Sequence, residues 1–589
     1  MVDFTVAIPT YNGETRLPDV LERLRSQVET ESFTWEILVI DNNSCDRTAQ
    51  VIREYQTQWP SWCPLIYYFC PEQGAAFARQ KAVEKAKGKL IGFLDDDNLP
   101  EKNWVAAAYE FGQNHPQLGA YGSQIHGYFF EANTPEEMPK NFKEIASFLA
   151  IVERGNTPHL YNPYHKILPP GAGLVVRKDV WLKSVPNRLF LNHQGKEAGM
   201  ASEDLEALLH IQKAGWEIWY NPEMIVYHKI PNNRLKADYL RLLTRCVGLS
   251  RHRLRMMTLE TWQIPLAFPA YLANDLRRLV LHLIKHGLNV KKDPVAASQR
   301  EFLVSTLVSP LFLWKKKQSK KIPREIFSQS LQKTEQILNQ IAQGFEQDRF
   351  CLYAQEIQPI SPFNSSNQHT EILLRLKDEL DRILLPSEFM PIAQHYKLMP
   401  TIDRWVVRQI FREIAGESLD PSLSLYEINV SIETVKDPNF INFLHREFRE
   451  YEITPEMISF AISETCAIAN LETIIKFINY IKKIGSQLTL DHVGRGNISP
   501  KYIKKMPVDY LKIDGKFFSQ RASNRPSIDK IYQINDLGHQ LGMKTIAEAV
   551  ENQEIFEQMK SIGVDYVQGY GIAPTHPLIT YSHRQSLLS

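Results

Sequence analysis

The sequence predicts an α/β protein with two unlike sheet architectures, an open helix-covered sheet in the first third and a closed β/α barrel in the last 240 or so residues. Three observations predict it. Strand-like and helix-like runs alternate from Phe4 onward, eight short apolar runs separated by stretches of helical spacing fill the last part, and the segment between them is amphipathic, basic and interrupted by prolines. A length of 589 residues suits three or four domains of ~150 residues, and 43% hydrophobic with 23% charged residues excludes general disorder. The cysteines at 45, 63, 70, 246, 351 and 466 have no paired metal spacing, and the opening MVDFTVAIPTYN reads as a strand rather than a charged leader. A reducing, cytoplasmic location is therefore expected. No apolar run reaches the ~20 residues that span a bilayer.

In the first third, TVAIPTY leads to a helix carrying Leu17, Val20, Leu21 and Leu24, and EILVID leads to a helix after DNNSCDRT. LIYYF then runs through Pro71 and Gly74 into AAFARQKAVEKAKG, and KLIGFL stops at Asp95, Asp96 and Asp97. Units of this length predict a mostly parallel sheet with ligands at the carboxyl ends of its strands, where Asp41 and the three aspartates fall. Adjacent carboxylates repel one another unless a cation or solvent relieves them. Hard oxygen ligands suit Mg²⁺ or Mn²⁺, and a solvated acidic turn is the alternative.

Further on, Leu205, Leu208 and Leu209 followed by Gly215 mark a helix whose first turn holds Glu203 and Asp204. The helix dipole favours negative charge there, so a cap fits as well as a base that deprotonates a hydroxyl. His228, at the end of IVYH, is either structural or a further metal or phosphate ligand. Gly171 and Gly173 in PPGAGLVVRKDVW either let backbone approach an acceptor or serve packing.

VAIPTYNG, VIDNNSCDRT, FLDDDN and SEDLE, in this order over about residues 3 to 230, resemble family 2 glycosyltransferases of the GT-A fold. The resemblance implies a nucleotide-sugar donor bound by Pro9, Tyr11, Asp41, Asp95, Asp96 and Asp97, with Asp41 at the nucleotide base. It also implies Mg²⁺ or Mn²⁺ and the donor diphosphate at Asp95 and Asp97. Asp204, beside Glu203, becomes the general base for inverting transfer to a lipid-linked or glycan acceptor. The QxxRW motif and multiple membrane spans of polymerising synthases are not found, so one sugar per encounter is expected. The expected bounds are 1–235.

The net charge of +1 hides an uneven distribution: from Lys229 to Glu325 roughly 20 Lys and Arg face 6 Asp and Glu, a local excess of about +14. Within 236–325 apolar faces alternate with cations, Pro265, Pro269 and Pro310 interrupt, and Trp314 precedes Lys315, Lys316, Lys317, Lys320 and Lys321. Such helices either lie at the inner face of an anionic membrane or pack as a subdomain with a solvated basic face. No nucleic acid polymer is expected, because no recognised binding motif accompanies the charge. Residues 326–345 read as a helical linker.

The eight runs FCLYAQ, EILLR, YEINVS, ISFAISE, QLTLD, YLKID, KTIAEA and DYVQG, alternating with helical stretches, define the barrel. Its strand ends would gather Gln355, Glu371, Asn429, Glu464, Asp491, Lys512, Glu548 and Gln568 in one pocket, suited to a hydrophilic substrate with a metal ion. EILLR, FMPIAQHYKLMPTIDRWV, NVS, ISET, DYLKID, TIAEAVE and VQGY, in this order, resemble the EAL domain, a TIM-like barrel that binds and hydrolyses cyclic di-GMP. The resemblance runs from about Phe350 to Pro577 and covers the full domain, whose expected bounds are 346–582.

It implies metal ligands Glu371, Asn429, Glu464 and Asp491 in a two-metal arrangement, with Lys512 and Glu548 in support. Gln355, Leu373, Arg375 and Gln568 complete the dinucleotide site, and a homodimer through the domain is expected. The loop written DDFGTG in active members reads Asp491, His492, Val493, Gly494, Arg495, Gly496 here, and Glu356 stands where Pro is frequent. Imidazole in place of the second aspartate favours binding over hydrolysis, although it can hold Mn²⁺ or Fe²⁺. The expected activity is glycosyl transfer in polysaccharide or cell-surface glycan synthesis, regulated by a degenerate EAL domain. A bifunctional transferase and phosphodiesterase is the first alternative, and a non-enzymatic receptor or scaffold the second.

Overall fold

A computed structural model describes residues 2–129, 141–162, 167–192, 200–287, 290, 293–319, 328–361, 368–416, 424–494, 500–515 and 525–578. The side chains of 316–319, 328–332, 500–501 and 525–527 lie outside this set. So do Lys320, Lys321, Arg495, Gly496 and the side chains of Lys316 and Lys317. The chain divides into two units, Met1–Leu331 and Gln332–Ser589.

The first unit is built on a nine-stranded sheet ordered β3-β2-β1-β4-β8-β6-β9-β5, with β7 paired to β9. The strands are β1 (Phe4–Thr10), β2 (Trp35–Asp41), β3 (Leu65–Phe69), β4 (Leu90–Phe93), β5 (Asn98–Pro100), β6 (Leu118–Tyr128), β7 (His159–Leu160), β8 (Leu174–Arg177) and β9 (Glu217–Lys229). Helices α1 (Leu17–Arg25), α2 (Thr48–Thr57) and α3 (Ala75–Lys85) cross between the first four strands, which are parallel. All seven residues of β2 are buried, as expected of a strand covered on both faces. Beyond β4 the expected parallel arrangement gives way. Strand β8 is antiparallel to β4 and β6, and β9 is parallel to β6 but antiparallel to β5. Among the described residues no α-helix of the kind that carries a parallel crossover lies between β6 and β8.

Helices α4 (Trp104–Asn114), α5 (Lys178–Ser184) and α6 (Glu203–Lys213) cover the sheet. Phe93 packs against Trp181 with ring centroids 5.8 Å apart, and both are nearly fully buried. A four-residue helix α7 (Asn232–Leu235) leads into α8 (Ala237–Met257), α9 (Ile264–His286) and α10 (Pro294–Ser319), of which α8 and α9 both pack on α10. No described helix is long and apolar enough to cross a membrane.

The second unit takes in most of α11 (Ser328–Glu346) and, after it, a closed eight-stranded barrel. Its staves are β10 (Phe350–Pro359), β11 (Gln368–Lys377), β13 (Ser424–Asn429), β14 (Ile458–Ser463), β15 (Gln487–Val493), β16 (Tyr510–Ile513), β17 (Lys544–Ala547) and β18 (Tyr566–Val567), with β12 (Ile383–Leu384) and β19 (His576–Pro577) appended. Seven staves are parallel, whereas β10 runs antiparallel to β11 and β18. The uniform strand-helix repeat expected from the sequence is broken here for a physical reason: the connection from β10 to β11 is too short for a crossover helix.

Candidate functional site

In the first unit the carboxyl ends of β1, β2 and β4 converge, as the alternation of strands and helices requires. Asp41 ends β2 and is 2% exposed; Tyr67 Oη donates to it at 3.0 Å, and the Ser44 backbone N–H donates at 2.9 Å. Burial raises its pKa to about 6, against the lowering by those bonds. Pro9 lies on β1 beside Ile40, and Tyr11 is 40% exposed at the same end.

The three aspartates each face a different arginine. Arg79 Nη2 is 3.3 Å from Asp95 Oδ1, Arg16 Nε is 2.7 Å from Asp96 Oδ1, and Arg234 Nη1 is 2.7 Å from Asp97 Oδ2. Thr10 Oγ1 also donates to Asp96 at 2.6 Å. The mutual repulsion read from the sequence is therefore relieved by guanidinium groups from α3, α7 and the turn before α1. His228 is 7% exposed, with Nδ1 2.8 Å from the Leu149 carbonyl oxygen and Nε2 3.6 Å from Asp97 Oδ2. Burial opposes the charge on Asp97, yet His228, Arg234 and Arg16 hold its carboxyl well below the usual carboxylate range.

Asp204 is the second residue of α6, a helix that opens directly after Ser202, whose φ of 78° is left-handed. The Gly171 N–H donates to Asp204 Oδ2 at 2.6 Å and the Leu205 N–H to Oδ1 at 2.8 Å. Burial raises its pKa to about 6; the charge of Glu203 adds to the rise and Arg79 opposes it. Glu203 is itself buried and bonded to Arg79 Nη1 at 2.5 Å. Arg79 thus ties the aspartate turn after β4 to the acidic start of α6. A Cβ at Gly171 would lie 2.6 Å from Arg79 Nη2 and 3.2 Å from the Asp204 Cβ, so this glycine is required by the packing of those two side chains. At Gly173 a Cβ would meet Ser123 Oγ at 2.5 Å and φ is 65°, again a packing and turn requirement.

An open pocket of about 1020 Å³ in the second unit is lined by Gln355, Glu371, Leu373, Asn429, Asp491, His492, Glu548 and Gln568, among others. Gln355 and Glu371 enter it from the middle of their strands and are paired across the antiparallel ladder. Asn429 Nδ2 donates to Glu371 Oε1 at 2.7 Å, while Lys512 Nζ at 3.0 Å and Gln568 Nε2 at 2.7 Å donate to its Oε2. Lys512 is fully buried and also bonds Glu427, a residue the sequence reading passed over. Burial disfavours its charge, yet Glu371 and Glu427 raise its pKa well above the ordinary lysine value.

Glu464 is 1% exposed, opens a helix directly after β14 and accepts from the Gly494 N–H at 3.1 Å. Glu464, Lys512 and Arg375 are not among the lining residues. Arg375 donates to the Leu374 carbonyl oxygen at 2.9 Å and lies 5.5 Å from the Tyr353 ring centroid.

His492 occupies an irregularity in the β15–β16 ladder, with φ 56°. Its Nδ1 is 3.3 Å from Asp491 Oδ1 and 3.2 Å from Glu548 Oε2, so the bulge aims the imidazole between two carboxylates. Asp491, His492 and Glu548 offer ligand atoms within 4.8 Å of one another. Burial raises Asp491 to about 7, and Glu548 adds to the rise.

An open sheet with acidic strand ends and a closed barrel with a carboxylate, lysine and glutamine pocket define a two-domain protein: the chain carries a glycosyl transferase family 2 domain, matched over residues 5–164, and an EAL domain, matched over 338–575. The barrel region is 34% identical over 241 residues to the cyclic di-GMP phosphodiesterase PdeB of Shewanella oneidensis, covering 41% of this chain and 28% of that protein. It is 32% identical over 243 residues to PdeF of Escherichia coli, a cyclic di-GMP phosphodiesterase, covering 41% and 32%. The chain thus spans about a third or less of the length of these curated relatives. Among solved structures it is similar to the FimX EAL domain of Pseudomonas aeruginosa bound to c-di-GMP (22% identity, 41% of this chain and 97% of that one, TM-score 0.39). A second is the PaMucR phosphodiesterase in its c-di-GMP complex (21% identity, 42% and 99%, TM-score 0.39).

Proposed function

We propose that the first unit transfers a sugar from a nucleotide-sugar donor to an acceptor hydroxyl in polysaccharide or cell-surface glycan synthesis, and that the barrel binds cyclic di-GMP as its regulator. The observation that carries the transferase reading is Asp204. It is a buried carboxylate raised to about 6, held by two backbone N–H groups and joined through Glu203 and Arg79 to the acidic end of β4. In the proposed step Asp204 takes the proton of the acceptor hydroxyl as that oxygen bonds the anomeric carbon. The bond from that carbon to the diphosphate oxygen breaks, the nucleoside diphosphate leaves, and in-line attack inverts the centre. Asp41, Tyr11 and Pro9 are assigned to the nucleoside end of the donor.

The donor set suits a divalent ion. His228 turns Nδ1 to a backbone carbonyl, while its Nε2 faces Arg234 Nη1 at 3.2 Å and Asp97 Oδ2 at 3.6 Å, so it offers that second nitrogen to a metal once Arg234 moves away. Asp95 and Asp97 would hold Mg²⁺ or Mn²⁺, which supplies positive charge opposite the leaving diphosphate. Arg234 holds Asp97 and must yield for that to happen.

In the barrel, Asp491, His492 and Glu548 make a mixed nitrogen and oxygen set that suits Mn²⁺ or Fe²⁺ better than Mg²⁺. Replacement of a second carboxylate by His492 supports binding with impaired hydrolysis. Labelled sugar transfer from a panel of UDP- and GDP-sugars, with and without cyclic di-GMP, tests the reading. Transfer from at least one donor that changes with the dinucleotide is expected. No transfer from any donor sinks the enzyme reading, and transfer indifferent to the dinucleotide sinks the regulatory one.

A further inference from the structure

Helix α9 turns the usual amphipathic arrangement inside out. Its packed side is polar: Asp275, 3% exposed, is gripped by both terminal nitrogens of Arg255 on α8, and His282 Nε2 lies 3.0 Å from the Ala296 carbonyl oxygen of α10. Its outward side carries Leu266, Leu272, Leu276, Val280, Leu283 and Ile284, all exposed, with Leu266 at 71% and Ile284 at 74%. Helix α10 adds Val304, Val308, Leu311 and Trp314 at helical spacing, and Trp262 stands just before α9, likewise exposed. A surface helix in water buries its aliphatic stripe and shows its charges. A helix that does the reverse has a second, apolar medium on its outer side, and contiguous exposed patches of this kind mark interaction surfaces.

Charge decides which medium. Arg277, Arg278 and Lys285 on α9 and Lys315 on α10 are exposed among these apolar residues. Asp275, the one acid in α9, is consumed by Arg255, and Glu301, the one acid in α10, is only partly exposed and 3.8 Å from Arg245. An aliphatic face whose exposed charges on α9 and α10 are cations, with Glu260 before Trp262 the acid at its near end, complements an anionic phospholipid surface, with the arginine and lysine stems reaching to the head groups.

We propose that the α9–α10 face seats this chain on the surface of an anionic phospholipid bilayer. The same structure ties that face to the acidic helix of the first unit. Arg253 on α8 donates twice to Glu206 Oε1 of α6, at 3.0 and 3.1 Å, and Ser250 Oγ donates to the Ala201 carbonyl oxygen at 2.5 Å. Leu254 and Met257 of α8 and Leu313 of α10 share a core with Leu209 of α6. Glu203 and Asp204 lie between the two anchor points, so a bilayer under α9 sits at a fixed offset from the carboxylate assigned as base. The acceptor class that follows is a sugar-accepting hydroxyl on a lipid-borne molecule; this last step rests on the transferase reading, whereas the bilayer contact does not.

Flotation of the full chain with vesicles of phosphatidylcholine alone, or of phosphatidylcholine with phosphatidylglycerol, tests the contact without requiring sugar transfer. Binding to the anionic vesicles is expected, weakening as salt rises. Arg277→Gln, Arg278→Gln and Lys285→Gln should each lower the partition by about fivefold. The double variant Leu276→Glu with Ile284→Glu should abolish binding while circular dichroism and melting stay as in the wild type, because both side chains are exposed. Equal partition onto neutral and anionic vesicles, unchanged binding of the double variant, or no binding at all overturns the proposal. So does a wild-type dimer in sedimentation that the double variant dissociates while vesicles capture nothing, an outcome that assigns the face to a second copy of the chain. Loss of transfer with vesicle binding intact counts against the transferase reading alone.

Discussion

Burial lifts Asp204 to about 6, the Glu203 carboxylate adds to the rise, and Arg79 works against it. A general base acts in its ionised form, and the ionised fraction grows as pH rises through that value. Transfer should therefore climb with pH to a plateau above about 6 and fall away below it, as a rate profile at saturating donor will show. Asp204→Asn keeps an oxygen for the Gly171 N–H but cannot take a proton, so turnover should drop about 10²- to 10⁴-fold while donor binding by calorimetry persists. Undiminished turnover removes Asp204 from the base role. A different residue decides the barrel. At φ 56°, position 492 lies in a region that Asp and Asn enter more readily than most residues, so His492→Asp should be accommodated without backbone strain. It restores a carboxylate beside Asp491 and Glu548, and Mg²⁺-dependent conversion of cyclic di-GMP to the linear dinucleotide should rise from a very slow wild-type rate. Rapid wild-type conversion, followed by chromatography, would instead establish the bifunctional enzyme.

Helix α6, which carries the acidic pair, is anchored from both sides by Glu206. Glu206, 1% exposed, accepts from the Leu191 N–H at 2.6 Å through one oxygen and from Arg253 through the other. Glu206→Ala leaves a buried N–H without an acceptor, a change that should cost about 2 kcal/mol in urea denaturation, whereas Glu206→Gln keeps that acceptor and should recover part of the loss. A null effect of the alanine variant denies the anchor any role in stability. The sequence makes such a helix legible through Leu205, Leu208, Leu209 and the closing Gly215, and it places Asp41, Asp95 and Asp204 near strand or helix ends because periodicity and chain punctuation are local signals. Arg16, Arg79 and Arg234, which face the three aspartates, escape that reading because their partners lie far away in the chain. For Arg79 a signal existed: it stands on the buried face of α3 among Ala78, Ala82 and Val83, where a long cation without a partner would be costly. Glu427 is hidden in the same way inside YEINVS, as a carboxylate in the buried middle of β13 that needs Lys512. The reversed β10 was legible too, in a connection too short for a helix, but an alternating pattern of strand-like runs carries no direction.

Each unit closes its own hydrophobic core, one around the open sheet and one around the barrel staves, and the proposed regulation of the transferase unit by the barrel is a free-energy linkage. If cyclic di-GMP alters the affinity of the transferase unit for its donor by some factor, the donor side must alter cyclic di-GMP affinity by the same factor. Typical couplings of 1–3 kcal/mol correspond to about 5- to 150-fold, which calorimetry resolves. UDP or GDP with Mn²⁺, whichever nucleoside matches the donor found active, therefore should shift the cyclic di-GMP dissociation constant of the full chain. Glu371→Gln alters a barrel carboxylate that holds Asn429, Lys512 and Gln568 together and lies outside the transferase unit. It should weaken the dinucleotide and erase its effect on transfer without changing the basal rate. Arg375, turned to the Leu374 carbonyl rather than into the lined cavity, must re-aim to reach a ligand phosphate, so Arg375→Ala should weaken binding less than Glu371→Gln does. Two results separate the possibilities at this scale. Identical cyclic di-GMP affinities with and without the nucleotide exclude coupling through donor affinity, and a basal transfer rate that falls in Glu371→Gln shows that the barrel supports the transferase in some way other than through its ligand.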